Sequence, residues 1–239
     1  MSTRELIFDG KEKKIYSTEN PDIVLIHYND VTTAYGGIKR AVIKDKGICN
    51  NHISALAFQV LAKEGVENHF ISLENDREQL CRRIEIIPLQ VVVRNRLAGS
   101  TARLLGVANG TVIPNTVFEL RYNNDRLRDP MINDTHVLAL GIVSEEELKR
   151  IYSLTAHANE VLKEFFHKAG MELIDIKLEC GRTSDGKIIL SDEISPDNCR
   201  IWDEKTGEVL DKDRFRHDLS DVTVSYQKVM ERLEKAYEV

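Results

Sequence analysis

LIDIKLECGRTSDGKIILSDEISPDNCRIWD, residues Leu173–Asp203, reads as two strands joined by a turn at Asp185-Gly186. Asp-Gly tolerates positive φ and closes tight hairpins. In the first strand Ile174, Ile176 and Leu178 alternate with Asp175, Lys177 and Glu179, so one face is apolar and the other charged. With Asp185 and Gly186 as a two-residue loop, Ser184 pairs with Lys187 and the ladder sets Glu179 opposite Asp192. Like charges facing each other across a ladder are destabilising. Either a cation lies between them, and two hard carboxylate ligands suit magnesium, or the register is slipped by one residue and the face is merely solvated. The residues that follow favour chemistry. Asp192-Glu193, Ser195-Pro196-Asp197, Arg200 and Trp202-Asp203 crowd polar groups onto the exit of an apolar strand, and loops leaving a rigid sheet are where binding and catalysis concentrate.

The chain around this segment is ordinary in bulk. Its 239 residues allow one large domain or two small ones, and 42% hydrophobic with 30% charged residues describes a soluble globular protein. A net charge of −6 argues against a general nucleic-acid binder, while local basic clusters could still hold phosphates. The N-terminus is polar, so no signal peptide is read, and no apolar run approaches the roughly 20 residues that span a bilayer. Cys49, Cys81, Cys180 and Cys199 lie far apart without CxxC pairing, which fits reduced thiols in a cytoplasmic protein. The seven histidines show no HxH or HExxH spacing, so zinc is not expected.

Upstream, Glu5–Phe8, Lys14–Tyr16, Ile23–Tyr28, His69–Leu73, Leu80–Ile87 and Leu89–Arg94 are strand candidates, with a break at Pro88. Asn50 or Asn51 is positioned to cap a helix carrying Ile53, Ala57 and Leu61 on one face, stopped by Gly65. Asn109–Asp134 reads as irregular apart from a strand at Val117–Tyr122. Ser144 with Glu147 makes a capping box for a helix reaching His167, and a last helix covers 220–237. Without a regular βαβ rhythm the fold class is α+β. The join at Ile87-Pro88 divides residues 1–87, β-rich, from residues 88–239, leaving a cleft between the two where a ligand would bind.

Three constellations carry the chemistry. Gly10-Lys11-Glu12-Lys13-Lys14 sits in a turn whose glycine admits an anion and whose lysines supply compact charge for polyphosphate; its bland alternative is a solvated loop. Val93-Arg94-Asn95-Arg96 leads into Gly99-Ser100 at a helix start, a site for a monophosphate or ordinary capping beside exposed arginines. The third is the hairpin. No nucleophile stands out, since Ser100 and Ser195 lack a partner histidine at readable spacing. Phosphoryl transfer needs little beyond positioning and charge neutralisation, so the residues describe an ATP-dependent enzyme acting on a phosphorylated or carboxylated small molecule.

Together GKEKKIY (10–16), KGICNNHIS (46–54), VVVRNRLAGS (91–100), Asp129-Pro130, LIDIKLECG (173–181), SDEISPDNCRIWD (191–203) and DKDRFR (211–216) resemble the SAICAR synthetase family, in its order over nearly the whole chain. The resemblance implies a two-domain α+β fold related to ATP-grasp architectures, with ATP in the interdomain cleft and a soluble homodimer. It also implies a reaction: ATP, the ribonucleotide CAIR and L-aspartate give SAICAR, ADP and phosphate. Lys11 and Lys13 would then hold nucleotide phosphates, Glu179 and Asp192 would ligate Mg2+, and Lys177 would lie beside the transferred phosphoryl group. Arg94, Ser100 and Arg200 would grip the ribonucleotide phosphate. Asp129, Asp175, Asp197 and Arg216 would line the region where imidazole and aspartate meet, with Asp129 and Asp175 joining Lys177 as the catalytic set. The chain departs from the family at Asn123, where lysine is usual, at Arg103-Leu104 and at Asp30–Gly37, which reads Tyr35-Gly36-Gly37 at its end. Rival readings are another ATP-dependent carboxylate–amine ligase, a small-molecule kinase, or a nucleotide-binding regulatory module without catalysis.

Overall fold

The structure, a computed structural model, describes residues 4–34 and 37–239; Tyr35 and Gly36 of the divergent segment lie outside the described residues. Strands β1 (Leu6–Asp9), β2 (Lys13–Ser17) and β3 (Ile23–Tyr28) precede a separate hairpin of β4 (Val31–Ala34) and β5 (Lys39–Val42). Helix α1 (Lys46–Lys63) and strands β6 (Phe70–Asn75) and β7 (Glu78–Arg82) follow. A five-stranded antiparallel sheet has the order β1-β2-β3-β7-β6. Then come β8 (Glu85–Leu97), α2 (Gly99–Leu105), β9 (Thr111–Tyr122), β10 (Met131–Ile132), α3 (Asp134–Ala139), α4 (Glu145–His167), β11 (Met171–Arg182), β12 (Ile188–Ser191), β13 (Cys199–Asp203), α5 (Asp213–Arg216) and α6 (Val222–Tyr237). The second sheet runs β10-β9-β8-β11-β12, and β13 also pairs with β11. The described sheets are antiparallel, as an α+β chain without βαβ units requires.

The large sheet has two differently used faces. Ile87, Leu89, Val91 and Val93 of β8, with Ile176 and Leu178 of β11, enter one core with α1, α4 and α6. On α4 the buried residues Leu148, Ile151, Leu154, Ala158 and Leu162 recur every three or four positions, and the Ser144–Glu147 capping box starts the helix as expected. The opposite face presents Gln90, Val92 and Arg94 of β8 and Asp175, Lys177 and Glu179 of β11 to a cavity. Period-two alternation in the two central strands thus separates core from site.

Several local expectations change. Strand β8 continues through Pro88, because that residue sits within its own bulge between the Glu179–Gln90 and Gly181–Ile86 pairs, where its missing N–H costs no bond to β11. Helix α1 begins before Asn50 and Asn51, whose amides instead donate to Asp197 (2.6 Å) and to the Asn75 carbonyl (2.9 Å). The supposedly irregular stretch contains the twelve-residue β9, held by β8 along most of its length. Buried residues of α1, among them Ile53, Phe58 and Leu61, join the large core rather than a separate one.

The hairpin turn is one residue longer than read. Arg182 pairs with Ile188, Thr183 N–H donates to Lys187 O at 2.9 Å, and Gly186 takes φ 82°. This is a three-residue loop closed by a left-handed glycine. Glu179 therefore opposes Ser191, not Asp192. The strand ends there, and Asp192 adopts φ 65°. That turn of the backbone brings its carboxylate to the same lysine as Glu179, which a straight continuation of the strand would have carried to the other face.

Candidate active site

β11 shares one edge between β13, along Met171–Ile176, and β12, along Glu179–Arg182. Between them, Lys177 N–H donates to Asn198 O (2.9 Å), so the loop 192–198 fills the gap and hangs its side chains over the sheet. A cavity of about 380 Å³ lies there. A neighbouring chamber of about 450 Å³ shares Lys13, Lys177 and Glu179 with it and extends to Lys11, Asn123 and Asp129. A third, apolar slot of about 320 Å³ between Ile15, Val24, Ile26, Ile84 and Ile86 opens onto Lys13, Glu179 and Asp192.

At the junction of the three, Lys177 Nζ contacts Glu179 Oε1 and donates to Asp192 Oδ2 at 2.9 Å. Lys13 contacts Asp192 Oδ1 and lies 3.1 Å from Glu193 Oε1. Burial opposes ionisation of Asp192, but Lys13 and Lys177 outweigh it and hold the carboxyl well below its usual range. At Glu179 burial wins over Lys177, helped by the Asp192 charge, and the carboxyl is raised. Asn123 donates to Glu179 Oε2 (3.1 Å).

Deeper in, Glu12, Glu193 and Asp197 bring carboxylate oxygens within 4.8 Å of one another. Each is matched by a lysine: Lys212 on Glu12, Lys13 on Glu193 and Lys46 on Asp197. Asp197 also accepts from Asn50 and from the Tyr226 hydroxyl (2.9 Å), so it is saturated and almost fully buried. These three acids with Glu179 and Asp192 pair with Lys13, Lys46, Lys177 and Lys212. Glu179, Asp192 and Glu193 have two lysines between them, Lys177 shared by Glu179 and Asp192 and Lys13 by Asp192 and Glu193, so the cation deficit falls on this trio. Two oxygen donors with a cation deficit fit a hard divalent ion such as Mg2+.

The far end of the cavity is built from arginines. Arg94 is buried and forks onto Glu119 (2.6 and 2.9 Å) while its third nitrogen reaches Asp175 (2.6 Å). Arg200 meets the same Asp175 (2.9 Å) and Asp213 (2.7 Å), and Asp213 also pairs with Arg216. Burial opposes ionisation of Asp213, but Arg200 and Arg216 lower it to about 2. Gly99, at φ 60°, is needed here: a Cβ would sit 2.3 Å from Arg200 Nη2. Ser100 is exposed on the rim.

Lys13, Arg94, Ser100, Asp175, Lys177, Glu179, Asp192, Asp197, Arg200 and Arg216 thus line one cavity. Lys11 and Asp129 line the neighbouring chamber, where Lys11 pairs with Asp125 (2.9 Å) and Asp129 accepts from Asn124 N–H (2.8 Å). Asp129 is therefore grouped with Lys11 rather than with Asp175 and Asp197. Sequence reasoning missed Glu12, Lys46, Glu193, Lys212 and Asp213. Lys46 and Asn50, one turn apart on the apolar face of α1, were the available signal.

An α+β protein with an apolar slot leading to paired lysines and carboxylates, and an arginine-lined cavity beyond, is built for two anionic ligands meeting at one point. The SAICAR synthetase family model matches residues 6–233. Phosphoribosylaminoimidazole-succinocarboxamide synthase of Clostridium acetobutylicum is 52% identical over 233 residues, covering 98% of this chain and 99% of the relative. The crystal structure of the Ehrlichia chaffeensis synthase of that name superposes with a TM-score of 0.94 at 42% identity, over 96% of this chain and 98% of that one. A SAICAR synthetase solved in complex with ADP gives a TM-score of 0.92 at 40% identity, covering 96% and 97%. The chain belongs to the SAICAR synthetase family.

Proposed function

We propose that this chain catalyses the ATP-dependent joining of L-aspartate to the carboxylate of CAIR, releasing SAICAR, ADP and phosphate in purine biosynthesis. The observation that carries the reading is the junction at Lys177, where a lysine–carboxylate cluster and an arginine cluster open into one cavity. Family membership and the ADP complex of a relative support it. The adenine would occupy the apolar slot, in the cleft between residues 1–87 and 88–239 of an ATP-grasp-related two-domain arrangement, with α1 shared into the second core. Lys11, Lys13 and Lys177 would take the phosphates, and Glu179 and Asp192 would hold Mg2+. Bound there, the ion would neutralise phosphate charge. Arg200, backed by Arg94, and Ser100 would orient the ribonucleotide phosphate. Asp175, Asp197 and Arg216 would shape the region where the imidazole and aspartate meet, and Asp129 would approach it from the neighbouring chamber that Arg216 also lines.

A carboxylate is a poor electrophile, and phosphorylation supplies a leaving group. In the proposed order the CAIR carboxylate oxygen attacks the γ-phosphorus and ADP departs. The aspartate amine then displaces phosphate from the acyl carbon. Lys177 stays beside the transferring group and offsets its charge. The protein would act in the cytoplasm as a homodimer, which light scattering tests. Glu179→Gln and Asp192→Asn are each expected to lower turnover about 100-fold or more while leaving the circular dichroism unchanged. Multiple-turnover ADP release, followed with CAIR and aspartate omitted in turn, should require both. Sustained release without aspartate, beyond one equivalent per enzyme, would identify a kinase, and near-normal turnover in both variants would refute the metal assignment.

A further inference from the structure

Gln90 and Arg121 stand opposite each other in the ladder between β8 and β9, and Gln90 in turn faces Glu179 of β11. All three line the cavity, so the row leads across the sheet from β9 to the junction at Lys177. Its outer half has hydrogen-bonding capacity to spare. Gln90 is only 6% exposed, yet its side-chain amide has no hydrogen-bond partner among the described residues, and it borders both the cavity and the neighbouring chamber. Burying a polar group without a partner is unfavourable, and an incoming ligand would remove that penalty. Arg121 is loosely held. Its Nη2 lies 3.6 Å from Glu119 Oε2, and its Nη1 reaches the Asp129 carbonyl at 3.3 Å. Glu119 has no need of it, since it already accepts from two nitrogens of Arg94 (2.6 and 2.9 Å) and from the Thr101 hydroxyl (2.5 Å). Arg200, by contrast, holds Asp213 at 2.7 Å. A guanidinium fork beside an amide that can donate N–H is a receptor for a carboxylate.

The charges of the substrates decide which carboxylate. In the proposed reaction the CAIR phosphate goes to Ser100 and Arg200, and the CAIR carboxylate must meet the γ-phosphorus at Lys177. Aspartate brings two further carboxylates to a region shaped by Asp175, Asp197 and Arg216, which is two acids and one cation. A second cation is needed there, and Arg121 lines the same cavity. Neighbouring strands lie about 4.8 Å apart, so the Arg121 backbone is about 10 Å from that of Glu179. An arginine side chain and an amino acid laid over Gln90 fill that span between them, with the amine directed at the junction.

Resting on that reading of the reaction, we propose that Gln90 and Arg121 form the subsite for a carboxylate of L-aspartate. Arg121→Met and Gln90→Leu test this through KM for each of the three substrates, with circular dichroism as the control for folding. KM for aspartate is expected to rise about 10-fold or more in the methionine variant and about threefold in the leucine variant. KM for CAIR and for ATP should stay within about twofold of wild type, and kcat within about threefold. A rise in KM for CAIR alone would give the pair to the ribonucleotide and overturn the inference. A fall in kcat with all three KM values unchanged would make Arg121 a brace for the Asp129 carbonyl, and equal rises in all three would mean general damage to the cavity; either result also overturns it. Should the methionine variant not fold, Arg121→Lys keeps the charge but loses the fork, and it should raise KM for aspartate alone by about threefold or more; an unchanged value counts against the subsite. Wild-type turnover that consumes no aspartate would sink the reading of the reaction and this inference with it. Turnover that requires aspartate, with its KM unmoved in the variants, would sink the inference alone.

Discussion

At one end of the cavity Lys13 and Lys177 each divide themselves between two carboxylates. At the other, Asp175 is gripped from two sides by Arg94 and Arg200, and Asp213 by Arg200 and Arg216. The residue types match those tasks. An ammonium is a compact charge on a flexible stem that can trade one oxygen for another. A guanidinium is a planar fork whose several N–H bonds fix its orientation. The lysine end is thus an exchangeable set of charges, suited to phosphates that arrive and leave. The arginine end is a fixed lattice, suited to orienting a ligand that must stay put during the reaction.

The sharpest way to break this comparison is to remove the shared cation at the lysine end. Lys177→Met deletes the group that both Glu179 and Asp192 contact, and kcat is expected to fall about 1,000-fold, the upper range for losing one preorganised charge at a reacting centre. Single-turnover ADP formation checks it. A loss confined to KM would mean that Lys177 only binds nucleotide and takes no part in transfer.

At the arginine end the expected effect is smaller and falls on a different constant. Arg200→Lys keeps the charge but cannot bridge Asp175 and Asp213 as a fork. KM for CAIR should rise about 10-fold, with kcat within about threefold. An unchanged KM would remove Arg200 from ribonucleotide binding and leave it a structural brace between two acids.

The same contrast explains what could be read along the chain. Features decided by neighbours a few positions apart were legible: the alternation in β11, the Ser144–Glu147 cap and the apolar spacing on α4. The hairpin register was not, because one added residue in the Ser184–Gly186 loop inverts the facing of everything beyond it. Asp192 still reached Lys177 only because its backbone turns out of the strand. Pro88 looked like a break because nothing local announces that the strand bulges there and resumes its pairing beyond. The pairings Lys46–Asp197 and Lys212–Glu12 join residues far apart in sequence, so composition and spacing gave no route to them. Family resemblance supplied the residues that line the cavity, and packing supplied their partners.

Asp211 offers the finest test of whether the arginine end is a fixed lattice. Fully buried, it accepts from Ile201 N–H and Asp213 N–H, each at 2.8 Å, and so sets the turn that carries Asp213 to Arg200. Burial, with the Asp213 charge beside it, raises its carboxyl from 3.8 to about 7, although the two amides and Arg200 pull the other way. Between those pH values the folded protein holds a proton that the unfolded chain has lost. This group's contribution to stability is therefore greatest below pH 3.8, falls as pH rises towards 7, and is level above it. Asp211→Asn cannot ionise. It gives up one amide partner at every pH, so its absolute stability is less informative than the trend of the difference. Relative to wild type, the asparagine variant should gain in Tm between pH 5 and pH 8, by about 2–4 °C for each 1 kcal/mol. Groups common to both proteins cancel in that difference. A flat difference would show that Asp211 is already ionised at pH 5, and that its two main-chain bonds, rather than burial, set its charge.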